Sequence, residues 1–89
     1  QNVMYAAAGE VVAKVQNMTW ENFVAQKILK PLGMMNSSIS VAEMQKAKDY
    51  SFGYDYNFDT KQTRLLPTRE IAQVSPAGSI NSSARDMAN

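Results

Sequence analysis

The sequence predicts a mainly α-helical chain that carries one small β-hairpin. Two stretches, 3–16 and 20–30, repeat their apolar residues at the three- and four-residue spacing of amphipathic helices. A third stretch, 50–58, alternates aromatic and polar residues, which is the two-residue period of a strand. A hydrophobic content of 45% with 19% charged residues is typical of a globular segment and not of a disordered tail.

The first predicted helix covers residues 3–16, and Asn2 stands in front of it as a candidate N-cap. The apolar stripe of this helix consists of Met4, Ala8, Val11, Val12 and Val15. A second face carries only the small residues Ala6, Gly9 and Ala13. Small side chains allow another segment to approach closely, so we expect this helix to be covered on more than one side.

The second predicted helix covers residues 20–30, with Thr19 as its N-cap. Pro31 disfavours the α conformation of the residue before it, so Lys30 is expected to be the last helical position. Gly33 can then adopt the left-handed conformation that turns the chain. The side chains expected to be largely buried around this corner are Trp20, Phe23, Leu32 and Met34, with Met4 and Val12 facing them.

The second half of the chain predicts shorter elements. The pattern S-x-x-E from Ser40 is typical of a capping box and predicts a short helix near 41–48. The aromatic alternation and a polar turn predict a hairpin near 50–66, followed by a loop from Pro67 to Ser79. The pattern S-x-x-D from Ser83 predicts a last helix near 83–89. The aromatic side chains suit packing better than stacking on a ligand or a nucleic acid, because no basic groove accompanies them.

Composition excludes several classes of function for this stretch. Nine Lys and Arg residues against eight Asp and Glu give a net charge of +1, and they are scattered, so no nucleic-acid partner is predicted. No apolar run is long enough to span a membrane. The chain contains no His and no Cys, which excludes thiolate nucleophiles, Ser-His-Asp triads and ordinary zinc or haem sites within it. We therefore predict no metal and no cofactor.

The chain lacks a self-contained catalytic set. It has no S-x-x-K, G-x-S-x-G, K-T-G, P-loop or G-x-G-x-x-G motif. Its carboxylates lie mostly on predicted solvent-facing sides of helices, in turns or at helix caps. We therefore interpret them as solvated surface groups and not as catalytic ones. Ser79-Ile80-Asn81 has the form S-x-N used by some acyl-transfer enzymes, but a turn or cap role is favoured for so short a pattern.

Four stretches together resemble the middle of the serine beta-lactamase-like hydrolase family. They read QNVMYAAAGEVVAKV, MTWENFVAQKILKPLGMMNSS, YSFGY and SPAGSINSSARDMA, and they follow in the family's order and spacing over nearly the whole chain. The family includes class C beta-lactamases, D-alanyl-D-alanine carboxypeptidases and esterases. The resemblance implies that this chain is the helical subdomain of an α+β beta-lactamase or transpeptidase-like fold.

The resemblance also implies a mechanism. In the family, the Ser of an S-x-x-K motif attacks an acyl carbon, the Lys and the Tyr of a Y-x-N motif move protons, and a K-T-G-like strand borders the small acyl substrate. The Ser, Lys and Tyr would lie outside residues 1–89, so the remainder of the parent chain is the expected partner and this piece alone is expected to be inactive. Many relatives are exported from bacteria, which implies a periplasmic or secreted location.

Residue by residue, the resemblance assigns two sites. Asn2 matches the Asn of Y-x-N, where it would hold the lysine and hydrogen-bond the substrate amide, a role compatible with capping the helix. The run Pro76, Ala77, Gly78 and Ser79 would be the closest approach of the loop that lines the acyl side-chain pocket. Many relatives have Gly-Gly at Gly78-Ser79, so this loop does not define the substrate, and beta-lactam hydrolysis in particular is not predicted.

An alternative from a different class is a stand-alone helical module that binds a protein partner or serves a structural role. Its open apolar faces would then be docking surfaces. The chain begins at a helix cap and stops within a predicted helix, which favours a piece of a larger protein over this alternative.

Overall fold

The computed structural model describes all residues from Gln1 to Asn89. It is mostly helical with one two-stranded antiparallel sheet, which confirms the predicted fold class. The elements in chain order are α1 (Asn2–Gln16), α2 (Trp20–Val24) continued by a π-helical turn (Ala25–Leu29), α3 (Val41–Met44), β1 (Tyr54–Asn57), β2 (Gln62–Leu65), a 3₁₀ segment (Ala72–Ala77) and α4 (Ala84–Met87).

Helix α1 begins one residue earlier than predicted, so Asn2 is not its N-cap. The cap is Gln1, whose side-chain oxygen accepts a hydrogen bond from the Val3 backbone N–H at 3.1 Å. Because this bond satisfies a free N–H of the first turn, Asn2 can enter the helix with its side chain uncommitted. At the other end, Asn17 takes the left-handed conformation at φ 51° and closes the helix.

The corner after the second helix forms as a Schellman motif. Gly33 adopts φ 66°, its N–H bonds to the Lys30 carbonyl at 3.1 Å, and the Met34 N–H bonds to the Leu29 carbonyl at 2.9 Å. The wider π-helical turn ends at Leu29, two residues before Pro31, whose ring would clash with the carbonyl four residues earlier in a regular α-helix. The redirection predicted at Gly33 is therefore confirmed.

Helices α3 and α4 are single turns, shorter than the predicted helices near 41–48 and 83–89. Their caps form as expected, since Ser40 Oγ accepts from the Glu43 N–H at 3.2 Å and Ser83 Oγ accepts from the Asp86 N–H at 3.1 Å. A cap satisfies only the first turn, however, and extending so short a helix requires packing that neither segment has. The predicted lengths were wrong for that reason.

The β-hairpin is narrower than the predicted range near 50–66. Tyr54 lies opposite Leu65 and Tyr56 opposite Thr63, and a further bond joins the Leu66 N–H to the Gly53 carbonyl at 2.8 Å. The other face carries an ion pair between Arg64 and Asp55 at 3.0 Å. The large hydrophobic residues that are exposed on and beside the strands are Phe52, Tyr54, Tyr56, Phe58, Leu65 and Leu66. The aromatic side chains thus do not join the core of this chain.

The core is small and lies between the second helix and the segment after the corner. Val24, Leu29 and Ile39 are its buried apolar residues. The partly buried side chains packed against them are Trp20, Phe23, Ala25 and Met34. Two predictions about this corner were wrong, because Leu32 is 49% exposed and Met4, expected to face the buried side chains, is 66% exposed.

The chain exposes more surface than a compact protein of its mass. Its accessible area is 7260 Å², whereas a folded protein of 9.9 kDa exposes about 5200 Å². The radius of gyration is 15.5 Å, against about 12 Å for a compact domain of this length. The excess includes apolar side chains of α1, among them Val11 and Val15, so these surfaces are suited to packing against further protein.

The Schellman corner generates a stability prediction. Replacing Gly33 by Ala should destabilise the full-length protein by about 1–2 kcal/mol, because a Cβ is unfavourable in the left-handed conformation. Gly33→Asn should cost less, since Asn tolerates that conformation better. The measurement is urea unfolding of both variants; equal costs for Ala and Asn would show that the corner does not depend on this backbone conformation.

Candidate functional site

Asn2 lies at the first helical position of α1 with its side chain exposed. Because Gln1 provides the cap, the Asn2 amide makes no side-chain hydrogen bond within the chain. An amide group offers both a donor N–H₂ and an acceptor oxygen. The start of α1 therefore presents a neutral group that can accept a hydrogen bond from one partner and donate one to another.

The Pro76–Ser79 run forms a tight turn that is fastened by two serines. The Ser79 N–H bonds to the Ser75 carbonyl at 3.0 Å, and the Ser79 hydroxyl lies 3.0 Å from the Ser75 hydroxyl. Both serines are buried, and the Ser79 hydroxyl donates a hydrogen bond to the Ser75 hydroxyl oxygen. Gly78 is exposed with φ 170°, an extended conformation open to any residue. The turn thus has a fixed shape with Gly78 at its surface.

Gly9, the one buried residue of α1, connects this turn to the helix that carries Asn2. The Pro76 ring packs directly on the Gly9 backbone, so closely that a Cβ added at Gly9 would overlap the ring, at 2.7 Å from the Pro76 Cβ. The Trp20 ring lies beside the same point, 3.3 Å from that position. The small-residue face predicted for α1 therefore does receive a close neighbour, and the neighbour belongs to the predicted pocket loop.

Downstream of the turn, the chain is paired with the segment after the corner. Ser38 and Asn81 form an antiparallel bridge, with N–H to carbonyl bonds of 2.9 and 2.8 Å. The Asn81 side-chain amide donates to the Ser79 carbonyl at 3.1 Å. The Ser79 hydroxyl is thus bound to Ser75 and the Asn81 amide to Ser79. The S-x-N pattern therefore stabilises a turn, which is the role favoured for it in the sequence.

Asp86 fastens the same two segments and is buried, contrary to the expectation that the carboxylates are solvated. Its Oδ2 accepts hydrogen bonds from the Asn36 backbone N–H and from the Ser37 hydroxyl, both at 2.7 Å. The Ser37 hydroxyl also lies 2.8 Å from that of Ser82. In a reciprocal capping box this carboxylate would accept a hydrogen bond from the Ser83 N–H. Here it accepts one from a backbone N–H 50 residues earlier in the chain.

The electrostatics of Asp86 favour the ionised form. The hydrogen bond from the Ser37 hydroxyl, followed by that from the Asn36 backbone, holds the pKa of the Asp86 carboxyl below its ordinary value of 3.8, although burial acts in the opposite direction. The carboxylate is therefore charged at neutral pH and accepts charge-assisted hydrogen bonds. We call the contacts of Asp86 with Asn36 and Ser37 the Asp86 clasp.

An open groove on this side of the chain runs beside the clasp. The apolar residues along it include Met34, Ile39, Met44, Tyr50 and Ile80. None of the predicted site residues lines it, since Asn2 and Pro76–Ser79 lie elsewhere. The structure thus connects the pocket loop to α1 through Gly9 and Pro76, and it forms no direct hydrogen bond between Asn2 and the loop.

The chain contains no group of three or more His, Cys, Asp or Glu residues arranged to hold a metal ion. It also contains no helix long and apolar enough to cross a membrane.

Sequence reasoning missed the two contacts that join distant parts of the site. The small residue Gly9 signalled a close approach, but nothing in the sequence identified Pro76 as its partner. The S-x-x-D pattern signalled a cap at Ser83, and the carboxylate contact with Asn36 and Ser37 had no local signal.

Comparison with known proteins gives a consistent result. The sequence model of the Beta-lactamase family matches residues 1–89. The chain is 36% identical over 88 residues to Beta-lactamase-like protein 2 of Dictyostelium discoideum, a match that covers 99% of this chain and 16% of that protein. Because this relative is from Dictyostelium, the bacterial origin and export suggested by the sequence remain predictions.

Among solved structures, the chain is similar to the octameric penicillin-binding protein homologue from Pyrococcus abyssi. The TM-score is 0.78 with 31% sequence identity, and the match covers 98% of this chain and 19% of that one. The chain thus spans less than a fifth of the length of each relative.

The Asp86 clasp generates a pH-dependent stability prediction. Asp86→Asn should lower the unfolding midpoint of the full-length protein at pH 7, because a neutral amide is a weaker acceptor and places an N–H₂ near donors. The folded pKa of Asp86 is depressed, so its contribution is present above the unfolded value of about 3.9 and is lost as the pH falls through the folded value. The difference in unfolding midpoint between wild type and Asp86→Asn should therefore disappear below about pH 4.

Thermal unfolding monitored by circular dichroism between pH 7 and pH 2.5 measures this gap. Asp59→Asn is the matched control, since Asp59 lies exposed at the hairpin turn. A gap for Asp86→Asn that stays constant down to the lowest pH would contradict a role for the ionised carboxylate.

Proposed function

The chain belongs to the beta-lactamase family, and from that premise we propose that it is the helical part of a serine hydrolase that acts through an acyl-enzyme. The observation that carries the proposal is the state of Asn2. Its amide is exposed and uncommitted at the start of α1, which is the state required of the Asn in a Y-x-N motif. The tyrosine of that motif would directly precede Gln1.

In the proposed reaction, the serine hydroxyl of an S-x-x-K motif attacks the acyl carbon of the substrate. The lysine and the tyrosine take the hydroxyl proton and deliver a proton to the leaving group, and water then hydrolyses the acyl-enzyme. These groups belong to segments outside residues 1–89. Asn2 contributes by accepting a hydrogen bond from the lysine and donating one to the acyl group, which fixes both relative to the serine.

The Pro76–Ser79 turn is proposed to border the pocket for the acyl side chain. Its internal fastening through Ser75 and Ser79 supports this role, because a binding wall must keep its shape when it is exposed to substrate. Ala77 carries only a methyl group and Gly78 has no side chain, so the turn itself leaves space for an acyl group. A lactam, a D-Ala-D-Ala peptide and a simple ester all contain the acyl carbon that this chemistry requires.

The exposed apolar surface also supports a partner within the same protein. Val11 and Val15 are exposed on α1, and the chain spans 16% and 19% of the lengths of its two relatives. We propose that the remainder of the parent chain covers this surface and supplies the S-x-x-K and K-T-G-like segments. A stand-alone binding module, the alternative, would need no nucleophile anywhere in the protein.

Covalent trapping separates these two functions. The full-length protein is incubated with a fluorophosphonate, and peptide mass spectrometry locates the adduct. We expect one adduct per protein, on a serine outside residues 1–89, and a matching loss of ester hydrolysis. No adduct, together with no ester hydrolysis, would contradict the proposed function and favour the binding module.

The role of Asn2 has its own test. Asn2→Ala in the full-length protein should lower kcat for an acyl ester by on the order of a hundredfold, the scale for losing one hydrogen-bonding group that positions the reacting atoms. Asn22→Ala is the matched control, because Asn22 is an exposed amide in the first turn of the neighbouring helix α2. An Asn2→Ala variant that turns over at the wild-type rate would contradict the proposed role.

A further inference from the structure

The contact between Gly9 and Pro76 has no explanation in the local structure of α1. Glycine destabilises a helix interior relative to alanine, so helix formation alone would favour a side chain at this position. Gly9 stands in the middle of a helix of 15 residues and needs no unusual backbone angle. The close approach of the Pro76 ring is what excludes a Cβ there.

We propose that Gly9 is a positioning residue, which sets where the Pro76–Ser79 turn lies relative to Asn2. The inference rests on the proposed function, because it gives the acyl pocket and the catalytic amide a common support. Pro76 rests on the helix seven residues after Asn2, which is about 10 Å along the axis of α1. That separation suits a substrate whose acyl carbon lies near Asn2 and whose side chain extends toward the turn.

The geometry makes the position of the turn sensitive to this one site. An added Cβ would approach two ring atoms of Pro76 more closely than real Cβ atoms approach their neighbours. The ring cannot rotate away as a long side chain would, because it is part of the backbone. The Trp20 ring lies 3.3 Å from the same Cβ position, so the added group would be tightly placed against it as well. A side chain at Gly9 must therefore displace the turn or the helix.

A displacement of Pro76 would move the whole Pro76–Ser79 turn, which is the proposed wall of the acyl pocket. Ser75 and Ser79, on either side of the ring, are joined through their hydroxyls and through the backbone, so the turn moves as a unit. Ser79 is in turn joined to Asn81, which is paired with Ser38. Because these bonds tie the turn to the segment after the corner, displacing the turn would strain the Ser38 to Asn81 bridge.

The test is a double-mutant cycle in the full-length protein, with Gly9→Ala, Pro76→Gly and both together. Gly9→Ala should lower kcat/KM for an ester with a long acyl chain by about tenfold or more, and lower it less for an acetyl ester, because misplacement by about 1 Å has effects of this size. Pro76→Gly removes the ring atoms that meet the added Cβ. In the Pro76→Gly background, Gly9→Ala should then change kcat/KM by less than about twofold, since neighbouring sites are coupled.

Gly53→Ala is the matched control, because the nearest atom to an added Cβ there is 3.9 Å away and the change should leave turnover unaltered. Hydrogen exchange provides a readout that does not require activity. The amide of Asn81, bonded to the Ser38 carbonyl, should exchange faster in Gly9→Ala than in wild type, because displacement of the turn strains this bridge, and should show no such difference in the Pro76→Gly background.

The outcomes distinguish the two proposals. If wild type hydrolyses esters while Gly9→Ala matches it in acyl-chain preference and in Asn81 exchange, the positioning role is overturned and the hydrolase stands. If wild type hydrolyses nothing but the exchange pattern follows the cycle, the contact positions the turn and the proposed function fails. If Gly9→Ala does not fold, the comparison of Pro76→Gly with the double variant decides. Similar kcat/KM values for these two variants support the positioning role. A kcat/KM that is a further tenfold lower in the double variant overturns it.

Discussion

The arrangement of the candidate site depends on the absence of a side chain at Gly9. The middle of α1 is the place where the second half of the chain rests on the first, since the Pro76 ring occupies the volume that a Cβ would take. The Ser38 to Asn81 bridge and the Asp86 clasp also link the halves, and on the second half they involve residues that follow the turn in the chain. The contact is steric, so it fixes a distance and an orientation without a charge or a hydrogen bond.

Local features of the fold could be predicted from the sequence, and contacts between distant segments could not. The caps at Thr19, Ser40 and Ser83 and the left-handed turn at Gly33 each follow from the conformational preference of one residue and its near neighbours. The cap of α1 was misassigned by one residue, because the Gln1 side chain accepts the bond from the Val3 N–H and Asn2 is already the first helical residue. Helix lengths failed where packing, and not capping, decides how far a turn extends.

For the candidate site, the sequence identified residues through family resemblance and left their connection undefined. Asn2 and the Pro76–Ser79 run were found by motif, whereas the packing of Pro76 on Gly9 joins positions 67 residues apart. Asp86 illustrates the same limit in a polar setting. Its spacing from Ser83 correctly indicated a cap, but its carboxylate bonds to Asn36 and Ser37, and only the folded chain brings those segments together.

Two of the links between the halves, the Asp86 clasp and the packing of Pro76 on Gly9, differ in how they respond to solution conditions, and this difference bears on function. The clasp at Asp86 depends on ionisation and weakens in acid, because its carboxylate accepts hydrogen bonds as a charged group. The packing of Pro76 on Gly9 involves no titratable group and is indifferent to pH. A pocket wall supported by the second link keeps its place relative to Asn2 when the first is weakened. Acid should therefore loosen the segment around Asp86 before it alters the geometry on which acyl transfer would depend.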